Sequence, residues 1–222
     1  MLTLAADTTA DFGSIALADE NGVREEVGLF APQGFSNVLY GEIEAMFARQ
    51  RLALTDIELY AGLSGPGSFT GIRVGLAAIK GLAEVLGRKA VAISTLEAIA
   101  SFGSGATRAV TIDAKRGEVF AALFDSAGQQ IIHQVVIPLP RFLEILSARP
   151  AEWISTDSAQ LHELLAGTRF EGDPVVEAPR ALAGRLAQIA IERAAKGMAQ
   201  DPGEIDANYV RRSDAELFWK GG

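Results

Sequence analysis

A chain of 222 residues, 49% apolar and 22% charged, with a formal net charge of −8 and no cysteine, reads as a soluble globular protein with core enough for one large domain or two small ones. The composition excludes disulfides, thiolate metal sites and a cysteine nucleophile, and the acidic balance argues against a stand-alone nucleic-acid binder, so that any RNA role needs a basic partner. The opening "MLTLAADTTADFG" has no basic n-region and carries Asp7 where a signal peptide is apolar, and Lys80, Glu84, Arg185 and Glu192 interrupt the longest apolar runs. A cytoplasmic protein with no membrane span is therefore expected.

In chain order, residues 2–19 predict an apolar strand ending at Asp7, a short turn and a second strand, with a turn at Gly22 and a third strand over 23–29. A helix is predicted over 36–51, N-capped by Ser36, with Leu39, Ile43, Met46 and Phe47 at helical spacing. The run "GLSGPGSFTGIRVG" at 62–75 then leads from an apolar strand into a helix over 70–87. A P-loop would need Lys after its last Gly, and a dinucleotide fingerprint would need Gly where Thr70 stands. What remains is a tight turn through Gly65, Pro66, Gly67, Ser68, Phe69 and Thr70, in which Ser68 or Thr70 can cap the helix. Its N–H groups suit either an anion or close backbone packing.

The helix over 70–87 is apolar on two faces: Ile72, Leu76, Ile79, Ala83 and Leu86 form one stripe, and Val74, Ala78, Leu82 and Val85 another. Such a helix has to be covered twice. One face suits the sheet; the other, thinned by Gly71, Gly75, Ala78 and Gly81, suits a second helix, either 36–51 of the same domain or one from a partner.

The pattern then repeats. "VTIDAKRGEVFAALFD" at 110–125 mirrors the opening, with Asp113 lying 113 − 7 = 106 residues after Asp7 and Gly128 lying 128 − 22 = 106 after Gly22. A strand over 131–137 follows. Helices are predicted over 140–148 with Pro140 in the first turn, over 157–166 with Asp157 as cap and Gly167 as stop, and over 179–196 between Pro179 and Gly197. Strands alternating with helices imply two α/β layers with mixed sheets. The boundary is placed in the Gly-rich stretch 102–109, giving domains 1–104 and 105–204. In the segment 205–222, "IDANYVRR" reads as a strand and Phe218-Trp219 as a docking anchor, and the sequence leaves open whether the segment returns to the first domain.

A repeated strand-hairpin-strand with Asp at the first turn resembles the actin-like and sugar-kinase superfamily (ASKHA), in which two halves clasp a nucleotide. With "GPGSFTGIRVG", "AADTTADFGSIALA", "IDAKRGEVF" and "ANYVRRSD", the chain resembles the TsaB (YeaZ-type) family of the bacterial tRNA threonylcarbamoyladenosine machinery. That resemblance implies a non-catalytic relative of TsaD, the subunit that transfers threonylcarbamoyl to the adenosine beside the anticodon of tRNAs reading codons that begin with A. It implies a heterodimer with TsaD through the first-domain helices, recruitment of the ATPase TsaE, a homodimer when the chain is alone, and contact with tRNA only through the complex. The implied interface takes Leu39, Ile43, Met46, Phe47, Gly71, Val74, Gly75, Ala78 and Leu82.

The catalytic relative carries a His-x-x-x-His metal pair at positions that fall here on Thr95 and Ile99, so no metal or catalytic residue is expected, and no cofactor. Lys115 and Thr9 stand two places after Asp113 and Asp7, where phosphate-binding relatives keep small residues, and both aspartates read as turn formers. The competing readings are a stand-alone ATPase or kinase of the actin-like class, a metallopeptidase, and an inert homodimerisation module.

Overall fold

The computed structural model describes residues 1–147 and 149–210. The first sheet contains β1 (Thr3–Asp7), β2 (Phe12–Asp19), β3 (Gly22–Phe30), β4 (Leu59–Gly65) and β5 (Lys89–Ser94) in the order β3-β2-β1-β4-β5. The hairpins β1–β2 and β2–β3 are antiparallel, and β4 and β5 add in parallel. The second sheet contains β6 (Thr107–Asp113), β7 (Glu118–Asp125), β8 (Gln130–Pro138), β9 (Glu152–Ser155) and β10 (Val175–Glu177) in the order β10-β9-β6-β7-β8. Read from its other edge, this is the first sheet's order again. Two copies of one five-stranded mixed sheet with flanking helices are the duplicated actin-like architecture expected above.

Alternation in the strands decides what each face of the first sheet buries. Leu4, Ala6, Ile15, Leu17 and Tyr60 point to one side, where α1 (Leu39–Gln50) and α2 (Phe69–Val85) supply Leu39, Ile43, Met46, Phe47, Ile72, Leu76 and Ile79 to a closed core. The intervening residues Ala5, Ser14, Ala16 and Ala18 face α6 (Ala183–Ala195), which packs across β1, β2 and β4 with Leu186, Ala187 and Ala190 buried. In the second sheet, α4 (Leu139–Leu146) and α5 (Ser158–Leu165) cover a core centred on Trp153, which meets Phe142 and Phe170 edge-on at centroid distances of 6.2 and 5.4 Å.

Three expectations are corrected. Ser36 lies inside a short 3-10 turn, Phe35–Asn37, and α1 begins three residues later without a side-chain cap. The partition at 104 and 204 also moves, because the compact units are Met1–Ala98 with Pro179–Ala207, and Ile99–Ala178 with residues 208–210. Helix α6 belongs to the first unit: the hydroxyl of Ser14 accepts the N–H groups of Leu182 and Ala183 at 3.0 and 2.9 Å, and Glu26 accepts that of Gly184 at 2.8 Å. The Gly-rich connector belongs to the second, because the guanidinium of the buried Arg108 donates to the carbonyls of Ala100, Gly103 and Asp125, while Glu152 accepts the N–H groups of Ser104 and Gly105.

The third concerns the end of the chain. Residues 205–210 are irregular rather than a strand. The stretch up to Ala207 nevertheless lies on the first unit, with Ile205 buried and its carbonyl accepting from Lys80 Nζ at 2.7 Å. The remainder of the expected strand and the Phe218-Trp219 anchor fall outside the described residues.

Candidate functional site

The glycine run has its answer inside the first unit. Asp7 ends β1, and its Oδ1 accepts both the N–H of Thr9 at 2.8 Å and its hydroxyl at 2.7 Å. The turn thus fixed is the seat for the start of α2. The carbonyl of Thr9 accepts the N–H of Ser68 at 2.6 Å, and the Thr8 hydroxyl donates to the carbonyl of Gly71 at 2.7 Å. A Cβ at Gly67 would overlap the Thr9 carbonyl, one at Gly71 the Thr8 carbonyl, and one at Gly75 the Thr8 hydroxyl. Ser68 caps the helix by accepting the N–H of Gly71 at 3.3 Å. Within the loop, Gly65 and Pro66 are buried and joined by a cis peptide, Gly67 is half-buried, and Ser68, Phe69 and Thr70 are exposed.

This corrects the expected interface. Leu39, Ile43, Met46, Phe47, Gly71, Gly75 and Ala78 are all buried within the unit, the first four because α1 turns them onto the sheet, and the glycines because they admit the β1–β2 turn. Val74 and Leu82 are half-buried and pack against the same core. The outer stripe of α2 is instead Phe69, Arg73, Ala77, Gly81 and Val85, all exposed and four residues apart, so that they share one face. On α1 the exposed set is Tyr40, Gly41, Glu44, Ala48 and Arg49. The Arg73 guanidinium stacks on the Phe69 ring at 3.7 Å, and a Cβ at Gly41 or Gly81 would meet open space. The spacing was present in the sequence; which of several helical stripes stays outside was not.

The two repeated aspartates differ in surroundings. Asp7 is fully buried, and the loss of solvation pushes its carboxyl up to about 6 despite the Thr9 hydrogen bonds that oppose it. Around Asp113 partial burial works upward too, but the ammonium and N–H of Lys115, at 2.9 and 2.7 Å, hold the carboxyl below its ordinary range. Both carboxylates stabilise their own turns. Thr95 and Ile99 are buried, the Thr95 hydroxyl without a hydrogen-bond partner. Neither side chain supplies an imidazole, and among the described residues no three His, Cys, Asp or Glu side chains converge as metal ligands would. His133 pairs with Gln130 and His162 with the Ser158 carbonyl, both exposed. Sequence reasoning missed Ser14, Glu26, Arg108 and Glu152. Each acts through a fold-made contact that no local motif announces.

The family model described as TsaD: tRNA N6-adenosine threonylcarbamoyltransferase matches residues 29–161, more than half of the chain. A TsaB, named as a tRNA threonylcarbamoyladenosine biosynthesis protein, from Escherichia coli (strain K12) is 30% identical over 163 residues, covering 70% of each sequence. The chain is a TsaB/YeaZ-type member of this family. The TsaB of Bacillus subtilis (strain 168) is 28% identical over 230 residues, 99% of this chain and 98% of its own length. YeaZ from Pseudomonas aeruginosa superposes with a TM-score of 0.76 at 21% identity, over 94% of this chain and 99% of that one, a likeness of fold. The TsaB-type motifs lie mostly where the chain contacts itself: the glycine run on the β1–β2 turn, and "IDAKRGEVF" in the β6–β7 hairpin.

Proposed function

We propose that this chain is a non-catalytic subunit of a bacterial tRNA threonylcarbamoyladenosine-forming assembly, and that it binds and activates a TsaD-type threonylcarbamoyltransferase for transfer to the adenosine next to the anticodon of tRNAs reading A-starting codons. TsaE completes the assembly, and the free chain pairs with itself through the surface that TsaD takes. The support is the exposed stripe of α2. Phe69 and Val85 stand at the two ends of a shallow floor of Ala77 and Gly81, and Tyr40 and Ala48 are exposed on α1. Small residues let a second helix approach closely, and the exposed ring of Phe69 supplies an aromatic anchor.

The non-catalytic part of the reading rests on what occupies the ancestral positions. Thr9 takes the Asp7 carboxylate, Lys115 takes that of Asp113, and Thr95 and Ile99 stand where the relative's metal ligands fall.

The decisive experiment is a pull-down of TsaD by the full chain, comparing Ala77→Asp and Gly81→Arg with Gly81→Ala. A charge buried unpaired against a partner helix costs several kcal/mol, so the first two variants lose TsaD while staying folded with a cooperative thermal transition, and the third retains it. TsaD capture unchanged in both bulky variants refutes this surface. Calorimetry with ATP tests the competing kinase reading, which requires tight binding that Asp7→Ala removes.

A further inference from the structure

Asn21, Asn37 and Asn208 are the asparagines of the chain, and Asn21 alone is followed by glycine. It stands at the tip of the β2–β3 hairpin, where Asp19 and Gly22 close the ladder and Glu20 and Asn21 make a two-residue loop. Asn21 is exposed, Gly22 has φ 128°, and nothing lies within 4 Å of where its Cβ would stand. Two-residue hairpin loops ordinarily place positive φ on their own central residues. Here it falls on Gly22 instead, and a bulge follows: Ala18 pairs with Val23 and Leu17 with Glu25, which leaves Arg24 as the extra residue.

One carboxylate pins both features. Asp19 Oδ1 accepts the N–H of Asn21 at 2.8 Å, and Oδ2 accepts from Arg24 Nε and Nη2, each at 2.6 Å. The bulge also decides what β3 offers to α6. Side chains alternate along a strand, so Val23 and Glu26, three residues apart, share a face only because Arg24 is extra; they lie opposite Ala18 and Ala16, on the side that α6 covers. Both meet the start of that helix. Glu26 Oε1 accepts the N–H of Gly184 at 2.8 Å, and a Cβ on Gly184 would stand 3.2 Å from Val23 Cγ2.

We propose that Asn21–Gly22 is a site of spontaneous deamidation and isoaspartate formation, and that modification there loosens the seat of α6. The main-chain nitrogen of Gly22, deprotonated by hydroxide, attacks Cγ of Asn21. A bond from that nitrogen to Cγ forms, the Cγ–Nδ2 bond breaks, and the side-chain nitrogen leaves as ammonia. Water then opens the cyclic imide at either carbonyl: at Cγ it leaves aspartate, and at the main-chain carbon it leaves isoaspartate, with the chain running on through Cβ and Cγ. Glycine obstructs the attack least, having no side chain beside its nitrogen. That nitrogen lies in the closing pair of the hairpin, so attack waits for the tip to open, and β3 is an edge strand paired on one side only. Either product sets a new carboxylate near Asp19, where it competes for Arg24, and isoaspartate lengthens the main chain between Asp19 and Gly22 by one carbon. With Arg24 released the bulge is no longer pinned, and a shift of β3 by one residue turns Glu26 away from Gly184.

The test incubates the full chain at mildly alkaline pH, folded and in urea, and follows it by peptide mapping with fragmentation that distinguishes isoaspartate from aspartate. The folded protein should gain about 1 Da, confined among the asparagines to Asn21, with isoaspartate present beside aspartate. The reaction should be faster in urea, where the tip is open. In folded Asp19→Ala it should be about tenfold faster than in wild type, the factor that one lost charge-assisted hydrogen bond gives to local opening. The modified fraction should exchange the amide of Gly184 faster than the unmodified one, and Asn21→Ser, which forms no imide, should keep both its mass and its Gly184 exchange through the incubation. Folded protein unchanged at Asn21 when the chain in urea has reacted to completion overturns the site, as does earlier loss of Asn37 or Asn208, or aspartate without isoaspartate. An unchanged rate in Asp19→Ala, or equal Gly184 exchange in modified and unmodified protein, overturns the link from the tip to α6. No step needs a partner subunit, so the outcome is independent of TsaD binding.

Discussion

Replacing Asp7 by Asn should stabilise the first unit, and by an amount that depends on pH. The carboxyl is completely buried, and its burial moves it from an ordinary 3.8 to about 6. A shift of about 2 units corresponds to roughly 3 kcal/mol between the two protonation states. The sign follows from which state binds the proton more tightly. Folded Asp7 does, so its protonation favours folding in full below about 3.8, and this contribution is lost as pH rises through about 6. Above that the native state carries an ionised carboxylate in an apolar interior. Asn keeps the Oδ1 acceptor for the N–H and hydroxyl of Thr9 but has no charge to bury. The gain in unfolding free energy of Asp7→Asn over wild type should therefore be roughly 1 kcal/mol at pH 4.5 and roughly 3 kcal/mol at pH 8. Amide exchange in β1 and β2, read with urea midpoints at matched ionic strength, reports on this unit. A difference independent of pH, or a variant less stable at pH 8, would show that the N-terminus of α6 or another group holds the ionised form, and that burial does not dominate.

The glycines of α2 should separate sharply. Gly71→Ala drives a methyl into the Thr8 carbonyl and should cost several kcal/mol, whereas Gly81→Ala meets open space and should gain about 1 kcal/mol from helix propensity alone; thermal melts of the two variants check this, and equal effects refute the account of the loop. Arg108→Ala removes the donor to three carbonyls and should destabilise the second unit by about 3 kcal/mol or more. Amide exchange around Trp153 should register the loss while that in β1 stays at the wild-type level.

Much of the architecture was legible because it depends on local pattern. The 106-residue offset between Asp7 and Asp113 comes from two hairpins whose alternation and turn residues are visible in the sequence, and both become the same sheet order. Asp157 as a cap and Gly197 as a stop were equally readable, since each acts within four residues of itself. The candidate surface was harder. Helix α2 is apolar nearly all round, so periodicity could not rank its faces, and Gly75 and Ala78 suited a partner helix as well as they suit the neighbouring turn. The allegiance of α6 was hidden for a related reason. Its amphipathic stripe demands a sheet to cover but does not name which, and the choice is made by Ser14 and Glu26, more than 150 residues away in sequence.

The long return of α6 sets an order of events during synthesis. When the ribosome has delivered β1 to β5, the alanine-lined face of the first sheet still lacks its cover, for the residues that close it lie beyond Ala178. The later half, from Ile99 to Ala178, has all its strands before α6 has been made. The half begun first thus receives its covering helix only after the other half has all its strands. Until then it presents apolar surface to chaperones and to neighbouring nascent chains.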